Sequence, residues 1–102
     1  MNGAFEYQFE WDQVKARLNE KKHGVSFERV ASVFSDPRAL SIFDKKHSDQ
    51  EDRWITMGLD QAGILVVVCH TFQHGHGDDR AWIRIISARK AAKKETQQYK
   101  EG

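Results

Sequence analysis

A single cysteine, Cys69, and a single proline, Pro37, occur in the 102 residues. One cysteine cannot form an internal disulfide, and its place in an apolar run marks it as a buried, inert thiol of a reducing compartment. That run, residues 64–69, is the longest apolar stretch at six residues, far short of the roughly 18–20 needed to cross a bilayer. The opening MNGAFEYQFEWD has no basic region followed by an apolar one, so a secretory signal is not expected and the cytoplasm is. GxxxxGK[ST], GxGxxG, CxxC and HExxH are all missing, which removes the common phosphate cradles and metal motifs and leaves no cofactor or metal expected. There is no Ser- or Gly-rich linker and no repeat, so one domain is expected over residues 1–102. Strong net charge is lacking too: 39% hydrophobic side chains and a net +1 exclude wholesale disorder.

The near-neutral total conceals an asymmetry. Residues 80–102 carry seven basic and two acidic side chains, whereas residues 1–79 carry nine basic and thirteen acidic ones. A basic segment on a neutral protein points to a polyanion, unless it is simply a solvated helix face.

Apolar periodicity gives the order β-α-α-β-β-β-β-α. FEYQFEW alternates, with Phe5, Tyr7, Phe9 and Trp11 on one side, as in a strand with one buried face. Asp12 is placed to cap a helix that Gly24 stops, with Val14 and Leu18 as a thin apolar stripe. Ser26 caps a second helix in which Phe27, Val30, Ala31 and Phe34 follow core-facing spacing, until Asp36-Pro37 ends it. An antiparallel meander follows: a strand at Leu40 and Ile42, the charged loop DKKHSDQED, a strand over 53–58, a central strand ILVVVCHT and a last strand WIRIIS. Ser87 is expected to cap a basic final helix reaching Tyr99. Strands grouped after a helical pair define an α+β fold with an antiparallel sheet packed on helices.

Several residues can carry chemistry. Arg84 lies mid-strand on a largely covered sheet, where an unpaired charge is costly. It needs either a carboxylate such as Glu6 or Glu10, or a groove in which its guanidinium binds phosphate. Arg89 is expected at the start of the final helix, where a cation is unfavourable unless an anion binds beside it. His70, ending the apolar strand, is either a satisfied core histidine or a proton-transfer group. His47, Glu51 and Arg53 combine a group titrating near neutrality, a carboxylate and a fixed cation in one loop, which is also the composition of a plain solvated loop. His74 and His76 form a small His tract without a third ligand, better read as solvated than as a metal site.

Together these residues resemble the BrnT family of bacterial type II toxins, which share the RelE-like ribonuclease fold. The resemblance is carried by Phe9-Glu10-Trp11-Asp12, Lys15, Asn19, Lys22-His23-Gly24-Val25, Phe27-Glu28, Val33-Phe34 and Asp36-Pro37. It continues through Asp44, His47-Ser48, Glu51, Arg53, Arg84-Ile85-Ile86-Ser87-Ala88-Arg89-Lys90-Ala91, Glu95 and Tyr99. The HGHGDD insert between Phe72 and Arg80 departs from the short hairpin of the family.

The resemblance implies an endoribonuclease that blocks translation and is silenced by a BrnA-like ribbon-helix-helix antitoxin, through which alone it meets promoter DNA. The expected chemistry is metal-independent attack of a ribose 2′-OH on the adjacent phosphate of an RNA, free or on the ribosome. Arg53, Arg84 and Arg89 are expected to stabilise the phosphate. His70 or His47 would transfer protons, with Glu51 as the alternative base. Lys90, Lys93 and Lys94 are expected on the RNA backbone. The contrasting reading is a non-catalytic RNA- or protein-binding module, or a degenerate toxin that keeps only its antitoxin interface.

Overall fold

In the computed structural model, which describes residues 6–75 and 79–102, alternation and capping act largely as the sequence dictates. Strand β1 (Glu6–Glu10) is followed by α1 (Gln13–His23), whose first turn is capped by the Asp12 carboxylate accepting from Lys15 N at 2.9 Å. Gly24 ends α1 with φ +70°, the left-handed conformation that glycine adopts without strain. Helix α2 (Phe27–Ala31) starts at the Ser26 cap and tightens into a 3-10 turn, Ser32–Ser35. Three residues per turn bring Val33 into the core together with Phe27 and Val30. Phe34 packs at the margin of that core.

The strands β2 (Leu40–Phe43), β3 (Arg53–Leu59), β4 (Leu65–Thr71) and β6 (Arg80–Lys90) form the expected antiparallel meander. The sheet order is β1-β6-β4-β3-β2, so the apolar β4 is central. The sheet is mixed, because β1 pairs in parallel with β6, from Glu6 opposite Arg80 to Glu10 opposite Arg84. β1 and β6 are far apart in the chain, with the two helices and the strands of the meander between them, so no hairpin forces antiparallel pairing. A two-residue β5 (Gln73–His74) pairs with β6 in the segment read as a loop. Phe5 and His76 lie outside the described residues.

Two faces result. One is sealed by α1 and α2 over Val66, Val68, Ile83, Ile85 and Ala88. Helix α1 buries Ala16 and Asn19 there, while the expected stripe, Val14 and Leu18, is 56% and 61% exposed. Asn19 is a clamp: its amide donates to Ala88 O at 2.8 Å and to Val25 O at 3.3 Å, and accepts from Ala88 N at 3.1 Å. The second face carries Ile55, Met57, Leu65 and Val67 and is only partly covered by α3 (Lys93–Glu101), through the buried Tyr99. The Tyr99 hydroxyl donates to Asp36 at 2.6 Å, tying the C-terminal helix to the turn after the 3-10 segment.

The strand-to-helix corner differs from expectation. Strand β6 runs to Lys90, so Ser87 caps nothing and Arg89 belongs to the strand. A bulge explains the phase: Cys69 opposes Ser87 while His70 opposes Ile85, leaving Ile86 as an extra residue. Alternation resumes one residue late, with Ala88 buried under α1 and Arg89 on the open face. Among the described residues no helix is long and apolar enough to cross a membrane.

Candidate active site

The open face presents a row of polar residues across four strands. Arg53 of β3 opposes Thr71 of β4, the Thr71 hydroxyl accepts from Arg84 N at 3.2 Å, and Glu10 of β1 lies opposite Arg84. The loop 44–53 folds beside this row and is ordered rather than merely solvated. A 3-10 turn spans Lys45–His47, and the Ser48 hydroxyl donates to Asp44 O at 2.6 Å while accepting from Arg53 N at 3.0 Å. Asp44 N donates to Arg53 O at 2.8 Å, closing the loop's base.

This closure brings Glu51, Arg53 and Arg84 together. Glu51 Oε1 accepts from Arg84 Nη2 in a close ion pair, and from Arg53 Nη2 at 3.5 Å. The Arg84 hydrogen bond, more than any other influence, holds the Glu51 carboxyl below its ordinary range. At neutral pH Glu51 is therefore ionised and a weak base. Arg84's partner is thus neither Glu6 nor Glu10 but a carboxylate from a distant loop. Arg53 is less committed: its Nε is buried without a hydrogen-bond partner among the described residues.

His47 is hydrogen-bonded to a carboxylate. Its Nδ1 lies 2.9 Å from Asp44 Oδ2, and because a carboxylate oxygen accepts, the tautomer with its N–H at Nδ1 fits the contact and leaves the Nε2 lone pair outward. His47 and Arg53 line a groove of ≈ 260 Å³ with Glu51. They also line a larger one of ≈ 460 Å³, which runs over Cys69 and Ser87 to Arg89. Burial pushes the Cys69 thiol up, so it is half-buried and protonated, not a nucleophile.

Arg89 is on the open face but engaged. Its guanidinium donates to both carboxylate oxygens of Glu95 at 2.8 Å, and Glu95 also accepts from Ala92 N at 2.7 Å. The anion expected at the final helix's N-terminus is thus Glu95 itself, lowered to about 2, chiefly by Arg89. Lys90, Lys93 and Lys94 are exposed at the end of β6 and on the first turn of α3.

His70 stands apart from the arginines. It is 3% exposed on the helix-covered face, edge-on to Phe34 at 4.8 Å, with Nε2 2.6 Å from the Thr56 hydroxyl. Burial lowers its pKa and keeps it neutral. Strand period places it there, since Val66 and Val68 share its face while Val67 and Cys69 do not. Sequence reasoning also gave no role to Asp44, the partner of His47; the i, i+3 spacing of the two was the available signal.

Residues 11–95 match the family described as "Ribonuclease toxin, BrnT, of type II toxin-antitoxin system". The fold is similar to the crystal structure of the Brucella abortus ribonuclease toxin BrnT, with TM-score 0.56 and 24% identity over 81% of this chain and 94% of that one. Comparison with curated proteins gives no match. The chain belongs to the BrnT family of ribonuclease toxins of type II toxin–antitoxin systems.

Proposed function

We propose that this single-domain toxin cleaves RNA without a metal, at the open sheet face where His47, Arg53, Glu51 and Arg84 converge. The observation that carries this reading is the Asp44–His47 hydrogen bond at the mouth of a groove shared with the under-satisfied Arg53 guanidinium. His47 Nε2 removes the ribose 2′ proton, the 2′ oxygen bonds to phosphorus, and the P–O5′ bond breaks. The products are a 2′,3′-cyclic phosphate and a 5′ hydroxyl, which takes its proton from solvent. Arg53 and Arg84 stabilise the charge that builds on the phosphate oxygens. Glu51 serves as the internal anion that holds both guanidiniums in register until RNA takes its place. Lys90, Lys93 and Lys94 add salt-dependent backbone affinity. A RelE-like catalytic strategy, cytoplasmic action and a BrnA-like ribbon-helix-helix antitoxin complete the reading. An acidic antitoxin segment over these grooves would block RNA entry.

One observation favours the second reading, a degenerate toxin that keeps only a binding surface: Arg84 and Arg89 are both held in ion pairs. The test is RNA end mapping with purified protein in EDTA. Cyclic phosphate ends, lost by at least 100-fold in His47→Ala and Arg53→Ala but unchanged in Leu18→Ala on the exposed side of α1, are expected. Intact RNA with wild-type protein selects the second reading.

A further inference from the structure

The helix-covered side holds a pocket that the cleavage chemistry does not use. Its ≈ 270 Å³ falls just below the roughly 300–1,000 Å³ of drug-sized ligand sites. Tyr7, Phe34, Trp54 and Phe72 form its walls, and Ser41, Thr56 and His70 supply its polar groups. Phe72 also borders the ≈ 230 Å³ groove that contains Glu51 and Arg84. The aromatic pocket and the arginine groove therefore meet at one side chain.

The polar groups form a chain with a defined proton direction. His70 Nδ1 lies 2.9 Å from Thr71 O, and a carbonyl can only accept, so Nδ1 is the protonated nitrogen. Nε2 of the neutral ring must then accept from the Thr56 hydroxyl at 2.6 Å. With its proton committed, Thr56 accepts from the Ser41 hydroxyl at 2.7 Å. Ser41 is left with lone pairs and no proton to offer the pocket. The ligand that fits is flat and aromatic, with an N–H donor on its edge.

We infer that this pocket holds one nucleobase of the RNA, next to the phosphate bound at Arg84, and grips it through an N–H on the edge of the base. Aromatic walls stack on any base, and the edge contact requires a donor, which adenine, cytosine, guanine and uracil all carry. His70 is a positioning residue that fixes the direction of the hydroxyl chain. The inference rests on the RNA-cleavage reading for its biological meaning, but the binding it requires is measurable without cleavage.

The probes are UMP and 3-methyluridine 5′-monophosphate, whose base carries no N–H, titrated into the whole protein while the three tryptophan indole N–H signals are followed by NMR, with Trp54 assigned through Trp54→Phe. The Trp54 signal is expected to shift with UMP about five- to tenfold more tightly than with the methylated nucleotide, the worth of one hydrogen bond. In Ser41→Ala, a change at an exposed position, this difference should fall below twofold. A Trp54 signal unmoved by every nucleotide, or a preference unchanged in Ser41→Ala, overturns the pocket even if RNA is cleaved. A shifted Trp54 signal with no RNA cleavage keeps the pocket and removes the nuclease.

Discussion

Replacing Asn19 by Ala should be among the most damaging single changes outside the candidate site. The Asn19 amide makes three hydrogen bonds, two of them to the backbone of Ala88, and both residues are buried, at 9% and 2% exposure. The substitution orphans the Ala88 N–H and C=O together. Each buried unsatisfied group costs roughly 1–3 kcal/mol. Allowing for water entry at the helix margin, the loss is about 2–4 kcal/mol, against a total of roughly 5–15 for a domain of this kind. With a urea slope of about 1 kcal/mol/M, the unfolding midpoint falls by about 2 M or more. Urea titration followed by tryptophan fluorescence measures this, with Leu18→Ala on the exposed side of the same helix expected to stay within about 0.5 kcal/mol. An Asn19→Ala loss below about 1 kcal/mol would refute the clamp.

The Glu95–Arg89 pair should make the protein acid-sensitive. Glu95 is depressed from an ordinary 4.5 to about 2 when folded, so its contribution is complete above the ordinary value and is lost as pH falls toward the folded one. Because the Arg89 side chain is 45% exposed, that contribution is about 1 kcal/mol rather than the full linkage value. Stability measured from pH 5 to 2 should flatten correspondingly in Glu95→Gln. Glu51→Gln removes the carboxylate between Arg53 and Arg84 and should tighten RNA binding with a salt slope steeper by roughly 0.7, as for one more phosphate contact on a single strand; an unchanged slope in filter binding counts against RNA displacing Glu51. A methyl group at Gly58 would sit 3.0 Å from Val33 Cγ1 and 3.2 Å from Ala39 Cβ, so Gly58→Ala should cost about 1–3 kcal/mol by thermal or urea unfolding.

Element types were legible because they follow local rules: the FEYQFEW alternation, the Asp12 and Ser26 caps, the Gly24 stop and the Asp36-Pro37 break. Parallel pairing of β1 was not, since β1 meets the last long strand, a partner more than 70 positions away that no local rule names. The β6 bulge was hidden for a related reason: WIRIIS reads as ordinary alternation, and only its pairing with β4 shows Ile86 as extra. That one residue sets Arg89 on the open face, where unbroken alternation from Ile85 would have turned it inward. Within the candidate site, the grouping of His47, Glu51 and Arg53 was visible because all three share one short loop. Glu51's reach to Arg84 was not, being a contact across 33 positions. His70 was misgrouped with the arginines because proximity in sequence to the sheet end says nothing about which face a side chain takes.

The extra residue in β6 also decides which face the distal half of that strand serves. Were the chain to run straight through Ile86 at unchanged length, simple alternation from Ile85 would turn Ala88 outward and Arg89 inward. A guanidinium would then be driven beneath α1, where a methyl group now packs, and Asn19 would lose the Ala88 amide. Removing Ile86 altogether leaves Ala88 inward and Arg89 outward, because both keep their partners on β4. The kink therefore works like a half-twist in a ribbon, showing its other side from that point on.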